Sequence, residues 1–164
     1  MQNHSLLSLK NQWLCDFISQ SPYPTEQSLA GMHSYQATQS SLSVQQLSSE
    51  NCSADDQLNF YCVSDNRTMI QFVKLYQLSW PEALRANIIE FLTQMDLSQP
   101  ANDVQLYFVT KSGQGYGTAM VTENATQRLL SDIFCVDTKA KASFIAQLNH
   151  YLSHAHDKES WIAQ

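Results

Sequence analysis

Apolar positions recur at helical spacing in three stretches and alternate, more or less cleanly, in most of the rest. Leu6, Leu9, Trp13, Leu14, Phe17 and Ile18 fall at intervals of three and four, which predicts a helix over 5–19 capped by Ser5 and stopped by Pro22 and Pro24. A second helix is expected over 80–96. There Ser79-Trp80-Pro81-Glu82 has the form of a capping box with proline in the first turn. Leu84, Ile88, Phe91, Leu92 and Met95 line its face, and Ser98 to Asn102, with Pro100, ends it. A third begins at Asp137 or Thr138 and runs to about 156, with Phe144, Ile145, Leu148, Tyr151 and Leu152 on one side.

Strands are expected over 41–47, weakly patterned, and over 58–64, with a loop at 50–56 and a turn at 64–67. The run TMIQFVKLYQL (68–78) also reads as a strand, with a helix as the alternative. Two further strands fall within 106–122. TQRLLSDIFCV (126–136) is ambiguous, with a strand favoured over 129–136. Residues 20–41 are polar and rich in Ser and Gln, so they read as a long loop or short-helix insertion. The resulting order is α-β-β-β-α-β-β-β-α. It implies an α+β fold with a largely antiparallel sheet of five or six strands flanked by three helices, in a single domain over 1–164.

Three of the four glycines, Gly113, Gly115 and Gly117, lie in LYFVTKSGQGYGTAMVT. GQGYGT resembles the acetyl-CoA pyrophosphate loop of GCN5-related N-acetyltransferases (GNATs), a strand–loop–helix of the form Gln/Arg-x-x-Gly-x-Gly/Ala. In that loop the amides at the helix start bind the anion. This reading makes the chain an acyl-CoA-dependent enzyme, with Gln114, Gly115 and Gly117 as cofactor residues. The frame is one residue short, however, and Val121, Thr122, Asn124 and Thr126 are poor helix formers. The preferred reading is a β-hairpin turning at Gly113-Gln114, with Lys111 opposite Tyr116 and Phe108 opposite Ala119. That register places Leu106, Phe108, Ala119 and Val121 on one apolar face.

Composition narrows the function. Hydrophobic residues make up 43% of the chain, enough for a core. The net charge of −6 and the nine scattered Lys and Arg disfavour a nucleic-acid partner. No apolar run approaches the length of a membrane helix. No secretory signal is visible, so a cytoplasmic protein is expected. Its four cysteines are then read as reduced thiols, and its three Asn-x-Ser/Thr triplets as chance matches.

Candidate chemistry is sparse. His150 and His154 share a helical face and can ligate a metal, but the acidic partner Asp157 lies where the helix frays. A solvated face is expected, with no metal. A pairing of His33 with Cys52 or Cys62 cannot be read from sequence, and Asp55-Asp56 reads as a solvated turn. Trp80 and Trp161 are taken as packing residues flanking helices.

LYFVTKSGQGYGTAMV, and IFCVD followed by KASFIAQLNHYLSHAHDKESW, resemble in pattern the later hairpin, last strand and final helix of the class I type III secretion chaperones (CesT/SycE-like). The resemblance covers roughly 58–161. It implies a homodimeric, non-enzymatic chaperone without a cofactor, which holds a segment of a secreted effector. Leu9, Trp13, Phe17 and Phe60 would bind the partner, and Leu84, Ile88 and Phe91 would form the dimer interface. The acyltransferase is the alternative from another class. An uncharacterised α+β interaction or immunity protein is a third.

Overall fold

In the computed structural model, residues 4–48, 52, 57–97 and 103–164 are described. The elements are α1 (Ser5–Ser19), α2 (Glu26–Gln39), β1 (Val44–Gln46), β2 (Leu58–Cys62), α3 (Asn66–Tyr76), α4 (Glu82–Thr93), β3 (Val104–Lys111), β4 (Gln114–Glu123), β5 (Gln127–Cys135), α5 (Lys141–Ser153) and β6 (Glu159–Ala163). One six-stranded sheet runs in the order β1-β6-β5-β4-β3-β2. Four of its neighbouring pairs are antiparallel, and β5 and β6 are parallel. The fold is α+β, as expected, but with five α-helices among the described residues in place of three. The expected 50–56 loop, Asp55-Asp56 within it, and the 98–102 helix end fall almost wholly outside the described residues.

The central strands β3, β4 and β5 are buried on both faces. Leu106, Phe108 and Met120 point into a core shared with α1, α3 and α4. Their neighbours Tyr107, Ala119 and Val121 point the other way, against Ile145 and Leu148 of α5. Alternation along a strand puts successive side chains on opposite faces, and with helices on both sides neither set is polar.

Three expectations change for identifiable reasons. Residues 68–78 are helical. Asp65 and Thr68 form a reciprocal capping box at the start of α3, and Met69, Phe72, Val73 and Tyr76 form its buried stripe. Ile70, which alternation would bury, is 51% exposed. The 20–41 segment, expected as a long loop or a short-helix insertion, takes the helical alternative at greater length as α2, capped by the Thr25 hydroxyl, which accepts from the Ser28 amide at 3.0 Å. Its inward positions are Ser28, Gly31, Met32, Tyr35 and Gln39, a helical spacing hidden because most are small or polar. The last helix stops at Ser153, and Glu159–Ala163 returns as β6. Trp161 therefore lies in a strand, its ring 5.3 Å from that of His4.

The expected capping box before α4 is not formed, since the N-cap is Pro81 with no side-chain hydrogen bond. Instead the Ser79 hydroxyl donates to the Tyr76 carbonyl at 2.7 Å. The glycine segment is a hairpin, as preferred, but its turn is Ser112-Gly113, with φ of 50° and 80°. Positive φ at both central residues is the geometry whose twist matches a two-residue hairpin. Lys111 pairs with Gln114, an irregularity follows between Val109 and Thr110, and Phe108 pairs with Thr118. The register is thus one residue away from the sequence-based one, so Leu106 shares its face with Met120 and not with Ala119. With both faces apolar, alternation could not fix it.

Candidate functional site

Strand β5 begins as the parallel partner of β6, pairing from Gln127↔Glu159 to Leu130↔Ile162, and there the ladder ends. β5 continues to Cys135, held by β4 alone, while the end of β6 pairs with β1 through Val44↔Ala163. The two parallel strands therefore separate beyond Leu130. The edge of β5 that faces the gap, from Ser131 to Cys135, carries backbone amides and carbonyls outside that ladder. A bulge lies at the point of separation. Between Thr118↔Phe134 and Met120↔Ser131, two residues of β5, Asp132 and Ile133, oppose the single Ala119. Asp132 has φ of 52°, a left-handed conformation that Asp tolerates better than most residues. Bulges re-aim side chains, and this one turns Asp132 into the core.

Asp132 meets three helices there. The Lys10 ammonium on α1 donates to its Oδ2 at 2.5 Å. The hydroxyls of Tyr35 on α2 and Tyr76 on α3 donate to its Oδ1 at 2.9 and 2.8 Å. Lys10 also donates to the Tyr35 hydroxyl oxygen at 2.6 Å and to Gln39 Oε1 at 2.9 Å. The side chains of Lys10 and Asp132 are 0% and 1% exposed. Burial alone would raise the Asp132 carboxyl, but the Lys10 charge and the hydrogen bonds it accepts outweigh it and hold the group below its usual range. Burial, together with the Asp132 charge, pushes both phenols well above theirs. Burial lowers the Lys10 ammonium from its ordinary value, with the Asp132 charge opposing that shift, and its hydrogens have acceptors on Tyr35, Gln39 and Asp132.

A cavity of about 440 Å³ opens over this cluster. Its lining includes Asp132 and Ile133 of β5, Ile162, Trp80, Leu84 and Lys141. Lys141 is the first residue of α5, whose N-cap Ala140 makes no side-chain hydrogen bond. A short 3₁₀ turn precedes it, and there the Asp137 carboxylate accepts from the Lys139 amide at 3.0 Å. Two lysines at a helix N-terminus are opposed by the helix dipole and are suited to an anion shared with it.

The other residues singled out in the sequence are scattered. The 114–118 amides lie in strand β4 and not at a helix start, so Gln114, Gly115 and Gly117 form no anion loop; Gly117 instead packs against Phe134 and Phe144. Ile88 and Phe91 are buried in the chain's own core, and Leu84 packs partly buried against it. The pair Ile88 and Phe91 thus offers no surface to a second copy. Trp13 and Phe17 pack edge to face at 5.2 Å on α1, with Leu9 exposed beside them. Phe60 stacks on Tyr151 of α5 at 4.5 Å, on the opposite face of the sheet, so the four expected partner-binding residues do not form one groove. His33 is exposed on α2. Cys52 donates to the Ala146 carbonyl at 3.4 Å, and Cys62 is exposed at the end of β2. Burial raises the thiols of Cys15 and Cys62, away from the thiolate that a nucleophile needs.

Sequence reasoning misses Lys10 and Asp132. Asp132 gives no signal in a strand pattern. Lys10 does, since it stands four residues from both Leu6 and Leu14 on the buried stripe of α1.

No family model and no curated protein matches this sequence. Among solved structures it is similar to a functionally unknown conserved protein from Staphylococcus epidermidis, at 8% identity and a TM-score of 0.54, over 68% of this chain and 44% of that one. The chain thus spans less than half of that protein's length, and the likeness shows a shared fold. It is also similar to a putative GNAT-family acetyltransferase from Desulfovibrio desulfuricans (12% identity, TM-score 0.44, 60% of this chain and 67% of that one). A third similarity is to aminoglycoside N-acetyltransferase AAC(6')-Iy in complex with CoA (13%, 0.42, 63% and 74%).

The expected secretion chaperone is corrected by the fold: the order α-β-β-β-α-β-β-β-α that carried that resemblance is not this chain's order, which opens on two helices and places α3 between β2 and α4. No helix among the described residues is long and apolar enough to cross a membrane.

Proposed function

We propose that this chain is an acyl-CoA-dependent N-acyltransferase of the GNAT type, with the donor lying in the cleft between β5 and β6. The observation that carries the proposal is the separation of these parallel strands after Leu130 and Ile162. Ligands of sheets with parallel strands collect outside the carboxyl ends of those strands. Here the crevice is flanked by an open strand edge and a helix N-terminus. The pantetheine arm of coenzyme A is an extended chain with two amides, and an extended amide chain pairs with an unpaired strand edge. Residues 131–135 supply that edge. The arm leads to a pyrophosphate, for which the first turn of α5, Lys139 and Lys141 supply positive charge.

The fit differs in two places from the form Gln/Arg-x-x-Gly-x-Gly/Ala. Along Asp137–Ala142, aspartate takes the first place and Ala140 the glycine, while Ala142 satisfies the last. Asp137 already engages the Lys139 amide, so the two ammonium groups carry more of the phosphate's charge than a glycine cradle would require. In the reaction an amine nitrogen attacks the thioester carbonyl, the C–S bond breaks and the thiol leaves with a proton. The chain contributes proximity, by holding the thioester against the incoming amine.

Thermal unfolding with acetyl-CoA and with free coenzyme A tests the donor site. Ligand at about 100 times its dissociation constant adds ~2.7 kcal/mol, a rise of several degrees. Absence of any shift at millimolar concentration removes the proposal. Thiol release from acetyl-CoA in the presence of a panel of amines then tests transfer, and binding without thiol release removes the enzymatic half alone.

A further inference from the structure

The last turns of α5 carry a second arrangement, about 13 Å along the helix from Lys141 and independent of the cleft. The Nε2 atoms of His150 and His154 face each other at 3.1 Å, with the rings nearly perpendicular at 76°. Beside them is a cavity of about 410 Å³ whose lining includes His150, Asn149, Ser153 and Asp157. Asn149 Oδ1 is buried without a hydrogen-bond partner.

We infer that His150 and His154 bind a divalent first-row transition-metal ion of the zinc class. Imidazole nitrogens bind such ions at about 2.0–2.1 Å. Two nitrogens 3.1 Å apart at that distance subtend about 100° at the ion, between the tetrahedral and octahedral angles. The pair is therefore spaced for a shared cation with no rearrangement of the helix. Residues four apart lie on one helical face, so the backbone of α5 fixes this spacing. Imidazole selects zinc, copper and nickel over the hard cations. Among the described residues no group of three or more His, Cys, Asp and Glu is gathered. The remaining positions accordingly fall to water. A site with two imidazoles and open positions exchanges its metal readily, unlike a closed structural centre.

Titration of the full chain with zinc chloride, followed by calorimetry and by nitrogen-edited spectra of the histidine side chains, tests this. One equivalent is expected to bind, shifting the ring resonances of His150 and His154 while those of His33 stay fixed. His150→Ala and His154→Ala are each expected to weaken binding at least about tenfold, since loss of an outer-shell partner alone costs 10–100-fold. His33→Ala leaves it unchanged. No saturable binding in the wild type, unchanged affinity in both variants, or shifts confined to other histidines would overturn the assignment. The spectra of the wild-type chain decide the matter even where a variant folds poorly.

Discussion

The ammonium of Lys10 lies 2.5 Å from the carboxylate of Asp132, a residue 122 positions later in the chain, with both side chains sealed from solvent. Breaking a buried pair by removing one partner leaves a charge without compensation, at about 3–5 kcal/mol. Lys10→Met is expected to fall in that range, lowering Tm by about 10 °C. Lys10→Met with Asp132→Asn leaves no charge and keeps an acceptor for Tyr35 and Tyr76, so it should recover at least about half of the loss. Denaturant titration of the two variants checks both.

The same carboxylate sets a pH dependence. Its folded pKa lies below the usual aspartate value, so the unfolded chain binds the proton more readily. The stability it contributes is complete above the unfolded pKa and is lost as pH falls through the depressed folded one. Unfolding free energy should decline below about pH 4, with a shallower acid limb in Asp132→Asn, measured by urea titration at stepped pH.

Two glycines separate crowding from conformational strain. A Cβ on Gly31 would clash with the Asn87 carbonyl oxygen and lie 2.7 Å from Phe91 Cβ, where α2 crosses α4. Gly31→Ala should cost about 3 kcal/mol or more. At Gly113 a Cβ meets nothing within 4 Å, but φ is +80°, so Gly113→Ala should cost only about 1–2 kcal/mol. Equal losses in thermal unfolding would count against this account of the helix crossing.

Reversal of the two lysines at the head of α5 tests the anion end of the cleft. With each exposed ion pair to the phosphates worth about 0.2–1 kcal/mol, Lys139→Glu with Lys141→Glu should weaken acetyl-CoA binding by about tenfold. The remaining affinity should depend less on salt. Calorimetry at two ionic strengths reads both effects.

How legible the molecule was in its sequence depended on what covered each element. β3 and β4 were visible because long apolar and β-branched runs between turn residues need no amphipathic contrast, whereas β5 was only favoured over a helix. α2 was hidden because Gly31 and Ser28 face inward, their smallness admitting α4, and small residues add nothing to an apolar stripe. α3 was misread because Met69, Phe72, Val73 and Tyr76 sit among Ile70 and Leu75, so that both periods fit. The cleft was invisible as a motif, being made by two strands parting. Its bulge depends on Asp132, whose partners lie on helices that local pattern cannot bring together.

The first strand has a consequence for the order of events at synthesis. Among the described residues β1 pairs in the sheet only with β6, Val44 opposite Ala163 and Gln46 opposite Trp161, and Ser43 exchanges two backbone bonds with Gln164. No nascent chain that stops short of β6 can hold that edge in place. Pairings so distant along the chain are slow to close, so β1 must wait, unpartnered, until Glu159–Ala163 has left the ribosome.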